Sequence, residues 1–132
     1  MNGFFRIPER LHLGLILMTE LAQSMEPLSL REIGSRMQVS EGYLEAIAAR
    51  LKKADLVQGL KGPNGGYRLR MPPGQIRLDA IITAIEGPVA LVDCHGEGVC
   101  PVQGRCHSKK VWDVLQSDIQ ASLKQRTLAD VI

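Results

Sequence analysis

Residues 29–70 read SLREIGSRMQVSEGYLEAIAARLKKADLVQGLKGPNGGYRLR, and the fold turns on this stretch. Ser29, followed three residues later by Glu32, is the pattern of a capping box, which satisfies free amides at a helix start. It opens a short helix with Ile33 and Met37 inward. Gln38 and Val39 make a turn, and Ser40 is placed to cap a second helix whose inward stripe is Leu44, Ile47, Ala48 and Leu51. Two short helices across a tight turn are a helix-turn-helix. Strand-like runs at residues 56–61 and 67–70 then flank Gly62-Pro63-Asn64-Gly65-Gly66. Asn-Gly between such runs predicts a hairpin, because its turn needs positive φ at the centre. Helix-turn-helix followed by hairpin is the winged-helix order, and Pro72-Pro73 closes the unit.

Upstream, Pro8 suits the first helical position and Glu9 the first turn. The helix they begin runs to about Ser24 and is apolar on most sides (Leu11, Leu13, Leu15, Ile16, Leu17, Met18, Leu21). Such a helix needs cover on more than one face, which hints at a dimer contact beside the core contact. Downstream, Leu78, Ile81, Ile82 and Ile85 stripe another helix, ended by Gly87-Pro88. Ser108 is placed to cap a last long helix with Val111, Trp112, Leu115, Ile119 and Leu123 on one face. Beyond a finished domain, that stripe finds cover against the same helix of a second subunit. The expected architecture is mainly α with a small β-hairpin wing. A winged helix-turn-helix spans residues 1–73, and a cysteine loop with a dimerisation helix spans 74–132, the two forming one compact unit.

A chain of 132 residues with 4% aromatics builds a modest core from Leu, Ile, Val and Ala. No apolar run approaches the length of a membrane span, and no secretion signal opens the chain, so a cytoplasmic location is expected. The net charge of +2 is uninformative, but its distribution is not. Residues 50–70 hold six cations (Arg50, Lys52, Lys53, Lys61, Arg68, Arg70) against one acid, Asp55. A basic stretch of this kind is either a contact for a polyanion or a solvated surface.

The second helix of the pair places Ser40, Glu41, Tyr43, Glu45 and Arg50 near or on the face away from the core stripe. There a helix start and hydroxyls can meet phosphate, and side chains can reach base edges in a major groove. Lys61 stands at the entrance of the hairpin turn, where Gly62, Asn64 and Gly65 complete a slim loop that can approach a minor groove. A helical pair packed in some other scaffold and a lysine on an exposed wing are the plain readings of these features. The helix-turn-helix and basic hairpin together favour double-stranded DNA.

Cys94, Cys100 and Cys106 are separated by five residues each time, in a loop containing Gly96, Gly98 and Gly104. An odd number of cysteines in a reducing compartment points to metal or redox chemistry rather than a disulfide framework. The spacing matches no common zinc pattern. An iron–sulfur cluster, a zinc site and thiols that pair on oxidation all fit it. A fourth ligand would come from His107, His95, His12 or a carboxylate. No nucleophile set, phosphate loop or paired carboxylates suggests an enzyme.

Gly62-Pro63-Asn64-Gly65-Gly66-Tyr67, with Tyr43-Leu44-Glu45, Arg50-Leu51-Lys52-Lys53, Ala84-Ile85-Glu86-Gly87-Pro88 and the closing Thr127-Leu128-Ala129-Asp130, resembles the Rrf-two family of bacterial winged-helix regulators. The likeness covers almost the whole chain, and the cysteine spacing is similar to that of the cluster-binding branch. The resemblance implies a homodimer on a palindromic operator, with the state of a cluster tuning DNA affinity. It implies Cys94, Cys100 and Cys106 as ligands, and Glu45 and Lys61 in DNA readout. Where part of that branch carries a ligand histidine three residues after the last cysteine, this chain has Lys109, with His107 beside Cys106 instead. Aligned by Leu21-Ala22, His12 falls where a nitric-oxide-sensing member supplies a carboxylate from the partner subunit. His12 of the partner is therefore the expected fourth ligand, with His107 next. A 2Fe–2S cluster is favoured over 4Fe–4S by the available histidines. The rival readings are a cluster-free thiol switch or zinc-stabilised repressor, both colourless, and a small iron–sulfur carrier that would have no use for a basic wing.

Overall fold

Two serines set the helix starts of the winged motif. A computed structural model of the chain describes residues 6–91 and 107–132. Its α-helices, in chain order, are α1 (Glu9–Gln23), α2 (Leu30–Met37), α3 (Glu41–Lys53), α4 (Leu78–Glu86) and α5 (Lys109–Gln125). Strands β1 (Val57–Leu60) and β2 (Gly66–Leu69) pair antiparallel between α3 and α4. Ser29 and Ser40 adopt extended dihedrals, and each hydroxyl accepts an amide three residues on, Glu32 N–H at 3.1 Å and Tyr43 N–H at 3.2 Å. Both serines cap as the sequence reading placed them, but Glu32 makes no return bond to the Ser29 amide, so the expected capping box is half formed. Pro8 stands one place earlier than expected, as the residue before the helix, with its carbonyl accepting from Leu11 and His12.

Between α2 and α3 the backbone reverses at Gln38, whose φ of 57° ends α2. Gly34 makes that reversal tight. A Cβ there would lie 2.6 Å from the Val39 carbonyl oxygen, so only glycine lets the turn fold back onto α2.

The wing corrects one detail of the sequence reading. Its turn runs Gly62-Pro63-Asn64-Gly65, closed by Gly65 N–H to the Gly62 carbonyl at 3.0 Å. Asn64 is not among the residues with positive φ, which are Gly62 (102°) and Gly66 (145°) in this region. Pro63 presets the second turn position to negative φ, so the loop is a type I turn flanked by glycines rather than an Asn-Gly reversal. β2 also bridges Leu28, with bonds of 3.0 and 2.7 Å between Leu28 and Tyr67. Gly66 permits this approach, since a Cβ there would meet the Leu28 carbonyl oxygen at 2.5 Å. Gly66→Ala is therefore expected to destabilise the fold by about 2–3 kcal/mol through clash and strain together. An unchanged denaturant midpoint would refute that account.

The core joins every helix but α5. Leu17, Met18, Ile33, Leu44, Leu51, Ile81, Ile85 and Leu128 are fully buried. α4 packs on α1 and α3, so the segment after residue 73 shares the winged motif's core. The chain end returns to it: Leu128 donates its amide to Ile76 O at 2.8 Å, and Thr127 with Asp130 forms a capping box that holds the final turn.

α5 lies against α4 but contributes no apolar side chain to this core. Trp112, Leu115, Ile119 and Leu123 are half-buried, while Val111 and Val114 are 55% and 60% exposed. Ser108 precedes the helix with helical dihedrals (φ −82°, ψ −10°) and makes no side-chain capping bond, unlike the expectation. Among the described residues no helix is long and apolar enough to cross a membrane.

Candidate nucleic-acid interface

Leu44, Ile47, Ala48 and Leu51 bury one side of α3, which fixes what the other side offers. Directly opposite lie Gly42, Ala46 and Ala49, spaced i, i+4 and i+7 and all exposed. Glu45 and Lys52 flank this smooth strip on one side, and Tyr43 and Arg50 on the other, all exposed. A helix face of small side chains can seat close to base edges, while its flanks reach bases or phosphates. The sequence reading named the flanks and missed the strip. Small residues carry no chemical signal, and only their spacing opposite the core stripe could have shown it.

The cations sort by their partners. Arg10 forms a two-pronged bond to Glu86 at 2.5 and 2.8 Å; its bonding holds the Glu86 carboxyl below the usual range and raises the guanidinium's pKa. The pair thus favours the fold at neutral pH and loses that contribution as pH falls through the lowered carboxyl value. Arg36 pairs with Glu20 at 3.2 Å, Arg70 with Asp55 at 3.4 Å and Arg77 with Asp79 at 3.1 Å. Arg50, one of the residues expected at the DNA, donates one N–H to the Ile85 carbonyl at 2.6 Å and ties α3 to the end of α4 while remaining exposed. Arg31 on α2, Lys52 and Lys53 on α3, and Lys61 on the wing are exposed and make no ion pair among the described residues. Among the described residues the helix-turn-helix and the wing thus both carry unpaired charge, as do Arg6 and, on α5, Lys110 and Lys124, and Arg31 joins the candidates found from sequence. Ser40 uses its hydroxyl to accept the Tyr43 amide and so cap the start of α3.

Lys61, Gly62 and Asn64 are exposed at the wing tip and Gly65 is half-buried behind them. Lys61→Ala is expected to weaken DNA binding and to lower the slope of log affinity against log salt by about one unit. Titrations at several salt concentrations measure this, and an unchanged slope would take Lys61 out of the interface.

Most of the metal candidates, Cys94, Cys100, Cys106 and His95, lie outside the described residues. His12 is exposed on α1 and His107 is exposed just before α5. Lys109 bonds Asp113 at 2.7 Å. Among the described residues, no three of His, Cys, Asp and Glu gather as a metal site.

A helix-turn-helix with an exposed reading helix, a hairpin wing and unpaired cations on both defines a winged-helix DNA-binding protein. The family model for Rrf2, an iron-dependent transcriptional regulator, matches residues 7–132, and the chain belongs to that family. It is 35% identical over 106 residues to an HTH-type transcriptional regulator of Haemophilus influenzae, covering 80% of this chain and 71% of that one. It is also 35% identical to the HTH-type transcriptional regulator IscR of Aliivibrio salmonicida, covering 80% of this chain but 63% of that protein, under two thirds of its length. Among solved structures, CymR, the global cysteine regulator of B. subtilis, superposes with a TM-score of 0.79 at 31% identity, covering 97% of this chain and 96% of that one. IscR of T. potens superposes at 0.78 and 32% identity, covering 97% and 86%. The chain is a DNA-binding transcription regulator of this type, in a family of regulators rather than enzymes.

Proposed function

We propose that this chain is a cytoplasmic homodimeric regulator that binds a palindromic DNA operator and senses iron–sulfur cluster, redox or nitric-oxide status through Cys94, Cys100 and Cys106. The observation that carries the DNA part is the gathering of unpaired cations on α2, α3 and the wing around an exposed reading helix. The dimer part is supported by the half-buried stripe on α5, whose apolar residues lie outside the chain's own core. Ser40, Tyr43, Glu45, Arg50, Lys61, Gly62, Asn64 and Gly65 are the proposed contacts, and Arg50 also ties α3 to the end of α4.

The donor set suits a cluster. Three thiolates in a glycine-bearing loop are soft ligands, and the likeness to IscR proteins agrees with that chemistry. Cys94, Cys100 and Cys106 would hold it, with His12 of a partner subunit or His107 as the fourth donor, and a 2Fe–2S form is favoured over 4Fe–4S. When bound, such a cluster supplies a redox-sensitive and nitric-oxide-sensitive link between these thiolates. The chain's own part is to carry the state of that loop to α3.

The spacing of the same cysteines also fits a second reading, in which they act as cluster-free thiols or hold zinc. The deciding experiment is the visible absorption spectrum of anaerobically purified protein, with iron and acid-labile sulfide assayed on the same sample. Charge-transfer bands with matching iron and sulfide support the cluster. A colourless protein after reconstitution overturns it and leaves the thiol or zinc reading.

A further inference from the structure

Gln116 is the only polar side chain buried among the described residues, 8% exposed in the middle of α5. A buried carboxamide is costly unless its donor and acceptor are both used. Here both are used on one short piece of backbone. Its oxygen accepts from Leu91 N–H at 3.0 Å, and its nitrogen donates to the Val89 carbonyl. Residues 87–91 form no helix or strand, so their backbone has no ladder to satisfy it. The Gln116 amide takes the place of the missing neighbouring strand.

A second fixed point lies four residues earlier. Arg50, from the reading helix α3, donates to the Ile85 carbonyl at 2.6 Å, where α4 ends. Glu86, next along, is held by Arg10 of α1. The strap of residues 85–91 is thus fastened at one end to α3 and at the other to α5, immediately before the chain enters its cysteine-bearing stretch. Alone, either bond would be ordinary side-chain satisfaction. Together they give the strap one attachment on the reading helix and one on α5.

We propose that Gln116 is a positioning residue: by holding Val89 and Leu91 on α5 it fixes the strap whose other end places the reading helix through Arg50. Operator affinity then depends on Gln116, although it lies on a helix that carries none of the proposed DNA contacts. The transmission of the cysteine segment's state along the strap rests on the sensing function proposed above. The effect on the strap and on α3 does not.

The test compares the wild-type chain with Gln116→Met, which keeps the side-chain length and removes both bonds, and with Leu91→Pro, which removes one bond from the other partner. Each is purified in full length, checked for assembly state, and examined iron-free and after loading with iron and sulfide. The DNA probe is a duplex selected by the wild-type protein from a random pool. Hydrogen exchange is expected to speed by roughly tenfold over residues 85–91 and to rise measurably in α3. Iron-free operator affinity is expected to fall by roughly fivefold to tenfold. A merely structural Gln116 would lower the melting temperature while leaving α3 exchange and operator affinity of the folded protein within twofold of wild type, and that result overturns the proposal. Should Gln116→Met not fold, Leu91→Pro decides by the same readings. If wild-type binding is equal in the loaded and iron-free forms, the sensing function fails on its own, and the iron-free variants still decide the role of Gln116.

Discussion

Ile119→Asp is expected to leave the chain monomeric and to reduce operator binding by about 100-fold or more. Ile119 lies with Trp112, Leu115 and Leu123 on the half-buried stripe of α5, which the protomer's own core does not take up. A carboxylate there would sit unpaired in an apolar contact, which costs several kcal/mol at each of the two symmetry-related positions. Within the monomer the change is mild, because the side chain is already part-exposed. The loss on DNA would be larger than any single contact can cause, since one body engaging both half-sites gains the second at high effective concentration. Sedimentation equilibrium separates the states directly. A variant that remains dimeric would place the subunit contact elsewhere and leave the α5 stripe unexplained.

Cys100→Ala is expected to abolish cluster loading while leaving a folded dimer that still binds DNA. Cys100 is the middle of three evenly spaced thiols, so its removal leaves two thiolates, Cys94 and Cys106, too few ligands for a stable cluster. The core and the α5 stripe contain no cysteine among the described residues, so neither depends on that thiol. Reconstitution followed by iron and sulfide assay reads the first half of the prediction, and sizing with DNA titration the second. Full iron and sulfide retention in the variant would remove Cys100 from the ligand set. A variant that loses the cluster yet still responds to redox state on DNA would separate the sensing from the cluster.

What could be read in the sequence was whatever repeats at helical or strand period, or is forced by a cap. The stripes of α3 and α4, the two serine caps and the order helix, helix, hairpin all follow from local rules and appear where expected. Asn64 misled because Pro63 beside it governs the turn, and a proline at the second position favours a different reversal from the one Asn-Gly signals alone. Arg50 carries a second role, invisible in the sequence for a longer-range reason. Its position on α3 is that of a DNA contact, and only the approach of the α4 terminus, thirty-five positions away, gives its guanidinium a partner. Gln116 had no local signal at all. A glutamine in a long helix looks like surface, and what buries it is irregular backbone far back in the chain. The ligand assignment rests on residue type and spacing, since Cys94, Cys100 and Cys106 lie outside the described residues.

The bridge between Leu28 and Tyr67 has one more consequence. Because the wing is bonded to the residue just ahead of the Ser29 cap, the hairpin and the two helices of the reading motif are a single rigid tool. Its reach from one groove to the next is therefore set inside the protomer. In a dimer joined through α5, only the placement of one tool relative to the other is left to vary. Half-site sequence and the gap between half-sites would then be governed by different parts of the molecule, and operators with altered gaps should select for changes in α5 and the strap rather than in α3.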